Sequence, residues 1–179
     1  MIITPAHIRM RRALSASIPD INVVSFIEEA ENLYVRNTLT PALYKAIEES
    51  VIRDDFNKPY TDEDEVVTTT DGQYDLLLAG GYYDEGSKHF SGLIAAVAYL
   101  AYSRLVMQHG VNATSFGMTQ NTSEYSQSVD FRTRKDVSNK AEKTGLLYLS
   151  QCVDYLKFIE LLPCDSTSRR RGRIRVIGS

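Results

Sequence analysis

The residues in this chain that could do chemistry are few, and their spacing assembles none of the familiar sites. His7, His89 and His109 lie in separate segments, and none stands at metal-ligand spacing from a Cys, Asp or Glu. Gly81-Tyr-Tyr-Asp-Glu-Gly86-Ser87-Lys88 comes close to the phosphate-cradling G-x-x-x-x-G-K-[ST] loop, but its final pair is reversed. That loop also needs a strand before it, so that glycine amides and a helix N-terminus converge on phosphate. Here a short helical run ending near Ala79 precedes it. The acidic run Asp62 to Glu65 lacks the alternating ligands and central glycine of a calcium loop, and reads as a solvated surface. There is no Gly-x-Ser-x-Gly elbow, and nothing ties a serine or cysteine to a histidine and an acid. The expectation is a protein without cofactor, metal or catalytic residues.

The sharpest local signal is basic. Arg169, Arg170, Arg171, Arg173 and Arg175 place five cations, and no acid, in the last eleven residues. With a net charge of −3 overall and +5 in that tail, the remainder carries −8. An acidic body with a basic tail predicts two surfaces with different partners. Arginine suits phosphates and acidic protein surfaces alike, because its planar fork makes paired contacts. Ile174, Val176 and Ile177 alternate with the charges, a pattern that can add a strand to another protein's sheet. The tail is therefore assigned to partner docking.

Stepping out from these residues, 179 of them suit one domain, 1–162, followed by a basic tail, 163–179. Hydrophobic residues at 43% and charged residues at 24% are ordinary for a globular chain with its own core. Two cysteines supply no disulfide framework: Cys152 falls on an apolar helical face and Cys164 beyond the helix end. Synthesis in a reducing compartment is expected, and the two N-x-[ST] matches at Asn112 and Asn121 then carry no meaning. No secretory signal is visible, and no apolar run reaches the ~20 residues needed to cross a bilayer.

The predicted architecture is all-α, a helical bundle around one buried helix. Phe90 to His109 is apolar almost all round, and a helix apolar on every side is buried on every side. Thr4-Pro5 and Thr40-Pro41 are cap-plus-proline helix starts, opening helices that run towards Leu14 and through Val51. Between them, after a linker over Ser15 to Asn22, Val23, Ile27, Ala30 and Tyr34 mark one face of a helix, with Glu28 and Glu31 assigned to solvent. Asp54 to Gly72 reads as a long surface loop, and Gln73 to Ala79 as a brief helix closed by Gly80-Gly81. Tyr82 to Lys88 is expected to lead straight into the central helix. The last helix is placed from about Asp136 to Leu161, with Ala141, Tyr148, Cys152, Tyr155 and Ile159 as its stripe. Gly145 in its middle costs ~1 kcal/mol relative to alanine, which predicts close approach to the Ala-rich central helix.

Between the last two helices, 111–130 is too polar for a core and too long for an ordinary connection. It is expected to be an extended arm or loose β-hairpin turning near Gln120-Asn121. Thr114, Phe116, Met118 and Tyr125 are its candidate contacts with a neighbouring subunit or a channel. Eleven tyrosines against no tryptophan, several of them in loops, fit an interface-rich surface.

The helix order, the run Glu28-Glu29-Ala30-Glu31-Asn32-Leu33-Tyr34, the start Leu39-Thr40-Pro41-Ala42-Leu43-Tyr44, the Thr/Gly/Ser arm and the pairs Tyr148-Leu149 and Tyr155-Leu156 together resemble the head-to-tail connector (adaptor, or head-completion) proteins of tailed bacteriophages. The resemblance spans about 2–161. It implies a homo-oligomeric ring, usually of twelve copies, bound beneath the portal protein. Such a ring extends the DNA channel, passes double-stranded DNA without sequence-specific binding, and receives the next neck or tail protein. It implies a place in the virion neck, after synthesis in the bacterial cytoplasm, with no membrane association. The basic tail has no counterpart residue by residue in that family. A competing expectation is a small helical nucleic-acid-binding protein that uses the arginine tail.

Overall fold

A computed structural model describes residues 1–12, 14, 18–51, 72–108, 111–114, 117–120 and 131–162. Over these the chain is a mainly helical bundle with two small antiparallel hairpins. In order, it forms α1 (Pro5–Arg11), α2 (Asp20–Ala30), a π-helical turn (Glu31–Val35), α3 (Arg36–Thr38), α4 (Pro41–Ser50) and α5 (Asp75–Ala79). The hairpin β1 (Gly81–Tyr83) and β2 (Lys88–Phe90) follows, then α6 (Leu93–Gln108), the hairpin β3 (Val111–Thr114) and β4 (Gly117–Gln120), and α7 (Phe131–Phe158).

α6 is the central helix. Leu93 through Ala98, Leu100, Ala101, Ser103 and Leu105 are all buried, and α1, α2, α5 and α7 pack around it. With no polar stripe, α6 has no face that gains by turning to water. α7 lies antiparallel to it. Ser138 Oγ donates to the Ser103 carbonyl at 2.9 Å near one end, Gly145 faces Ala96 and Leu100 in the middle, and Tyr155 stacks on Phe90 at 4.6 Å at the other. A Cβ on Gly145 would lie 2.7 Å from Leu100 Cγ and 3.1 Å from the Ala96 carbonyl oxygen. The glycine is there because the two helices touch.

The helix starts form as their capping signals require. Pro41 opens α4 behind Thr40, whose Oγ1 accepts from the Leu43 N–H at 3.3 Å. At α1, Thr4 precedes Pro5, and His7 turns back so that its Nδ1 accepts from the Thr4 N–H at 3.1 Å. His7 is thus a buried helix-start residue. Burial is the main reason that it protonates less readily than an ordinary histidine, with the nearby Arg11 charge adding to it.

Several boundaries differ from the sequence expectation. α2 begins at Asp20, within the expected linker, because Pro19 in extended conformation sets its start and Arg9 pairs with Asp20 at 2.7 Å. α7 begins five residues before Asp136, since its first turns are polar and carry no apolar signal. Gly81 to Phe90 is a hairpin rather than a lead-in, with Tyr82 opposite His89. In the arm, Val111 pairs with Gln120 and Thr114 with Gly117, so the chain reverses between 114 and 117, not near Gln120-Asn121. The expected loop at 54–72 lies almost wholly outside the described residues, as do Pro163 and the whole tail.

Candidate assembly surfaces

The largest departure from the sequence reading is Glu31. Assigned to solvent, it is 1% exposed. On an ordinary helix it would lie at the edge of the stripe formed by Val23, Ile27 and Ala30. The π turn that begins at Glu31 delays the phase of the helix, so Glu31 and Val35 face inward while Leu33 turns out. The carboxylate is fully engaged there. It accepts from the Ile2 N–H at 2.6 Å and from the Tyr44 hydroxyl at 2.6 Å, and lies 3.6 Å from the Met1 ammonium. The same ammonium pairs with Glu48 of α4. Burial, and then the bond to Glu31, push the Tyr44 hydroxyl well above the usual tyrosine range. Arg36 sits over the Tyr44 ring, 4.5 Å from its centroid. One buried acid therefore ties the N-terminal segment, α2 and α4 together.

A second polar tie joins α2 to the central pair. Arg104 of α6 pairs with Glu29, its Nε donating at 3.1 Å, and the Tyr34 hydroxyl donates to Glu142 of α7 at 2.6 Å. Burial, followed by the bond to Glu142, raises the Tyr34 hydroxyl to about 12. These contacts fix α2, α6 and α7 as one rigid body from which the arm departs. No spacing rule could have paired residues 75 and 108 positions apart.

The β3–β4 hairpin leaves the far end of that body, between α6 and α7. Its backbone pairs with itself, and among the described residues no helix packs along it. Thr114 ends β3 opposite Gly117, and Met118 lies in β4 opposite Ala113. Phe116 and Tyr125, the other two candidate arm contacts, lie outside the described residues. So do Arg169, Arg170, Arg171, Arg173, Ile174, Arg175, Val176 and Ile177 of the candidate docking tail.

The structure also exposes apolar side chains that periodicity had assigned to no function. Leu147 is 55% exposed and Phe158 50% exposed, and eleven positions apart they share one outward face of α7. Tyr82, at the outer side of β1, is 71% exposed. Near the start of α7, Arg132, Lys135, Lys140 and Lys143 are exposed and make no ion pair among the described residues.

The candidate chemical motifs form no site. Gly81 to Lys88 is a tight hairpin in which Lys88 pairs with Asp84 at 2.9 Å, so no helix N-terminus follows the loop to receive a phosphate. Among the described residues no cluster of three His, Cys, Asp or Glu could hold a metal ion. Cys152 is buried against α6, and burial pushes its thiol up to about 12. No described helix is long and apolar enough to cross a membrane.

Comparison with known proteins places the shared part of this architecture. Residues 35–158, from the end of the π turn to the last residue of α7, match DUF6712, a family of unknown function. The chain belongs to the DUF6712 family. The match takes in α4, both hairpins and the whole α6–α7 pair, and stops short of Glu31. No curated protein and no solved structure matches the chain.

Proposed function

We propose that this DUF6712 chain is a structural subunit of a tailed-bacteriophage neck, a head-to-tail connector that assembles as a ring beneath the portal and continues the DNA channel. The observation that carries the reading is the β3–β4 hairpin, which projects from a rigid helical body and pairs only with itself. A ring subunit needs different surfaces on its two sides, because its contacts are head-to-tail around the axis. A projecting arm on one side and exposed apolar residues such as Leu147 and Phe158 on another meet that need. The arm and the arginine tail are the elements assigned to neighbours, the portal and the next neck protein.

The test is the mass of the full-length chain, alone and mixed with the portal ring encoded in the same genome. Ring assembly predicts a species of about twelve chain masses, or addition of about that number to the portal. A chain that stays monomeric at high concentration and adds nothing to the portal ring sinks the proposal.

The exposed, unpaired cations at the start of α7 favour a second reading, a helical protein that binds nucleic acid through them and the arginine tail. Binding of duplex DNA that weakens steeply with salt, and disappears when 169–175 are deleted, supports it over the ring.

A further inference from the structure

Where the β1–β2 hairpin meets the end of α1, the surface opens into a cleft of about 580 Å³. A volume of this order holds a small organic molecule or a few residues of a peptide. Arg11 of α1, Gly80 and Ser91 at the base of the hairpin, Tyr99 of α6 and Tyr148 of α7 contribute to its lining. The base is narrow because Gly80 and Gly92, both at positive φ, cross closely. A Cβ on Gly80 would stand 2.5 Å from the Ser91 carbonyl carbon.

The cleft has a cation and no anion. Arg11 lines it, and no carboxylate does among the described residues. The Arg11 Nε is buried with no hydrogen-bond partner, and Arg11 makes no ion pair among the described residues. A buried guanidinium donor left unpaired is costly, and such groups in folded proteins ordinarily have a partner. Beside it lies an aromatic wall. Arg12 covers Tyr99 at 4.4 Å from the ring centroid, and Tyr148 meets Tyr99 edge-on at 5.5 Å. Arg12 is therefore engaged with ring faces, which leaves Arg11 as the charge offered to the cleft. Ser91 and Ala95, at the start of α6, bring the positive end of that helix to the same place.

We propose that this cleft binds a carboxylate attached to an aromatic or apolar body, presented as an acidic segment of a partner protein. One planar guanidinium fork matches one carboxylate, and the tyrosines accept the adjoining side chain. Phosphate sites ordinarily gather several cations or a nest of backbone amides around a larger charge. The proposal stands independently of the ring.

The experiment uses the ¹⁵N-labelled full-length chain and three probes: an acetylated, amidated Glu-Phe-Glu peptide, its Gln-Phe-Gln counterpart, and inorganic phosphate. The Glu peptide is expected to shift the Gly80, Gly81 and Ser91 amides and the Arg11 Nε–H saturably, more weakly as salt is raised. Arg11→Gln is expected to weaken binding about tenfold or more, and Arg11→Lys, which keeps charge without the fork, to fall between. Amides far from the cleft report whether each variant remains folded, and the salt dependence of the unmodified chain stands even if a variant does not. Absence of shifts at about 10 mM peptide, a range that covers even millimolar affinity, overturns the proposal. Equal binding of the Gln peptide overturns it too, and phosphate binding as tightly as the Glu peptide assigns the cleft to phosphate instead.

Discussion

Replacing Gly145 by alanine sets two opposed effects against each other at one site. On helix propensity alone the change stabilises by ~1 kcal/mol. Against this, the new methyl group would stand 2.7 Å from Leu100 Cγ, 2.9 Å from Leu100 Cδ2 and 3.1 Å from the Ala96 carbonyl oxygen. Leu100 is completely buried, and the contact at its Cγ involves the branch point rather than a movable tip, so relief requires α6 and α7 to separate. Overpacking of this kind costs about 1–3 kcal/mol, and the steric effect wins. The expected net destabilisation is about 1 kcal/mol, or about 2–4 °C in Tm for a chain of this length. A double-mutant cycle isolates the cause. Leu100→Ala alone costs about 2–5 kcal/mol through its cavity, but in the Gly145→Ala background the added methyl meets open space. The two changes should therefore cost less together than separately, by about 1–2 kcal/mol. Thermal and urea unfolding of the four proteins provide the measurement. A rise in Tm for Gly145→Ala, or strict additivity in the cycle, refutes the claim that the glycine exists for close helix contact.

Glu31→Gln should destabilise by about 3 kcal/mol, because it leaves the Met1 ammonium without its buried partner; a urea midpoint unchanged from the parent shows that Glu31 organises nothing. Stability should also fall at alkaline pH. The fold holds Cys152 and Tyr34 protonated up to about 12, and raises Tyr44 and Tyr155 as well, so the unfolded chain releases those protons first. Their contribution is complete below the ordinary thiol and phenol values and is lost as pH climbs from about 9 towards 12. His7, lowered by the fold, acts in the opposite direction: its contribution is present above about 6.5 and lost on acidification, when the unfolded chain takes up the proton. Melting curves from pH 5 to 11 should thus show a plateau with both flanks descending, and a Tm rising above pH 9 contradicts the burial of these groups. In a Cys164→Ser background, Cys152 should react with a thiol reagent far more slowly than in urea, and a native rate equal to the unfolded rate contradicts its place under α7.

The sequence by itself determined the parts of this protein whose cause is local. A run without a polar face must be interior, so α6 was legible, and Thr-Pro pairs announced the starts of α1 and α4 before any packing was considered. Gly145 was legible as a contact because an unrewarded glycine in a helix implies a neighbour. The polar character of 111–130 marked an arm, though its pairing register was not written there. Tertiary structure alone decided the inward turn of Glu31, because a π turn depends on where the N-terminal segment and Tyr44 can meet a carboxylate. It alone brought Arg104 to Glu29, Tyr34 to Glu142, and Arg11 into a cleft with Tyr99 and Tyr148. Helix periodicity reports which side of a segment avoids water, whereas these contacts depend on how separate helices are placed against one another in space.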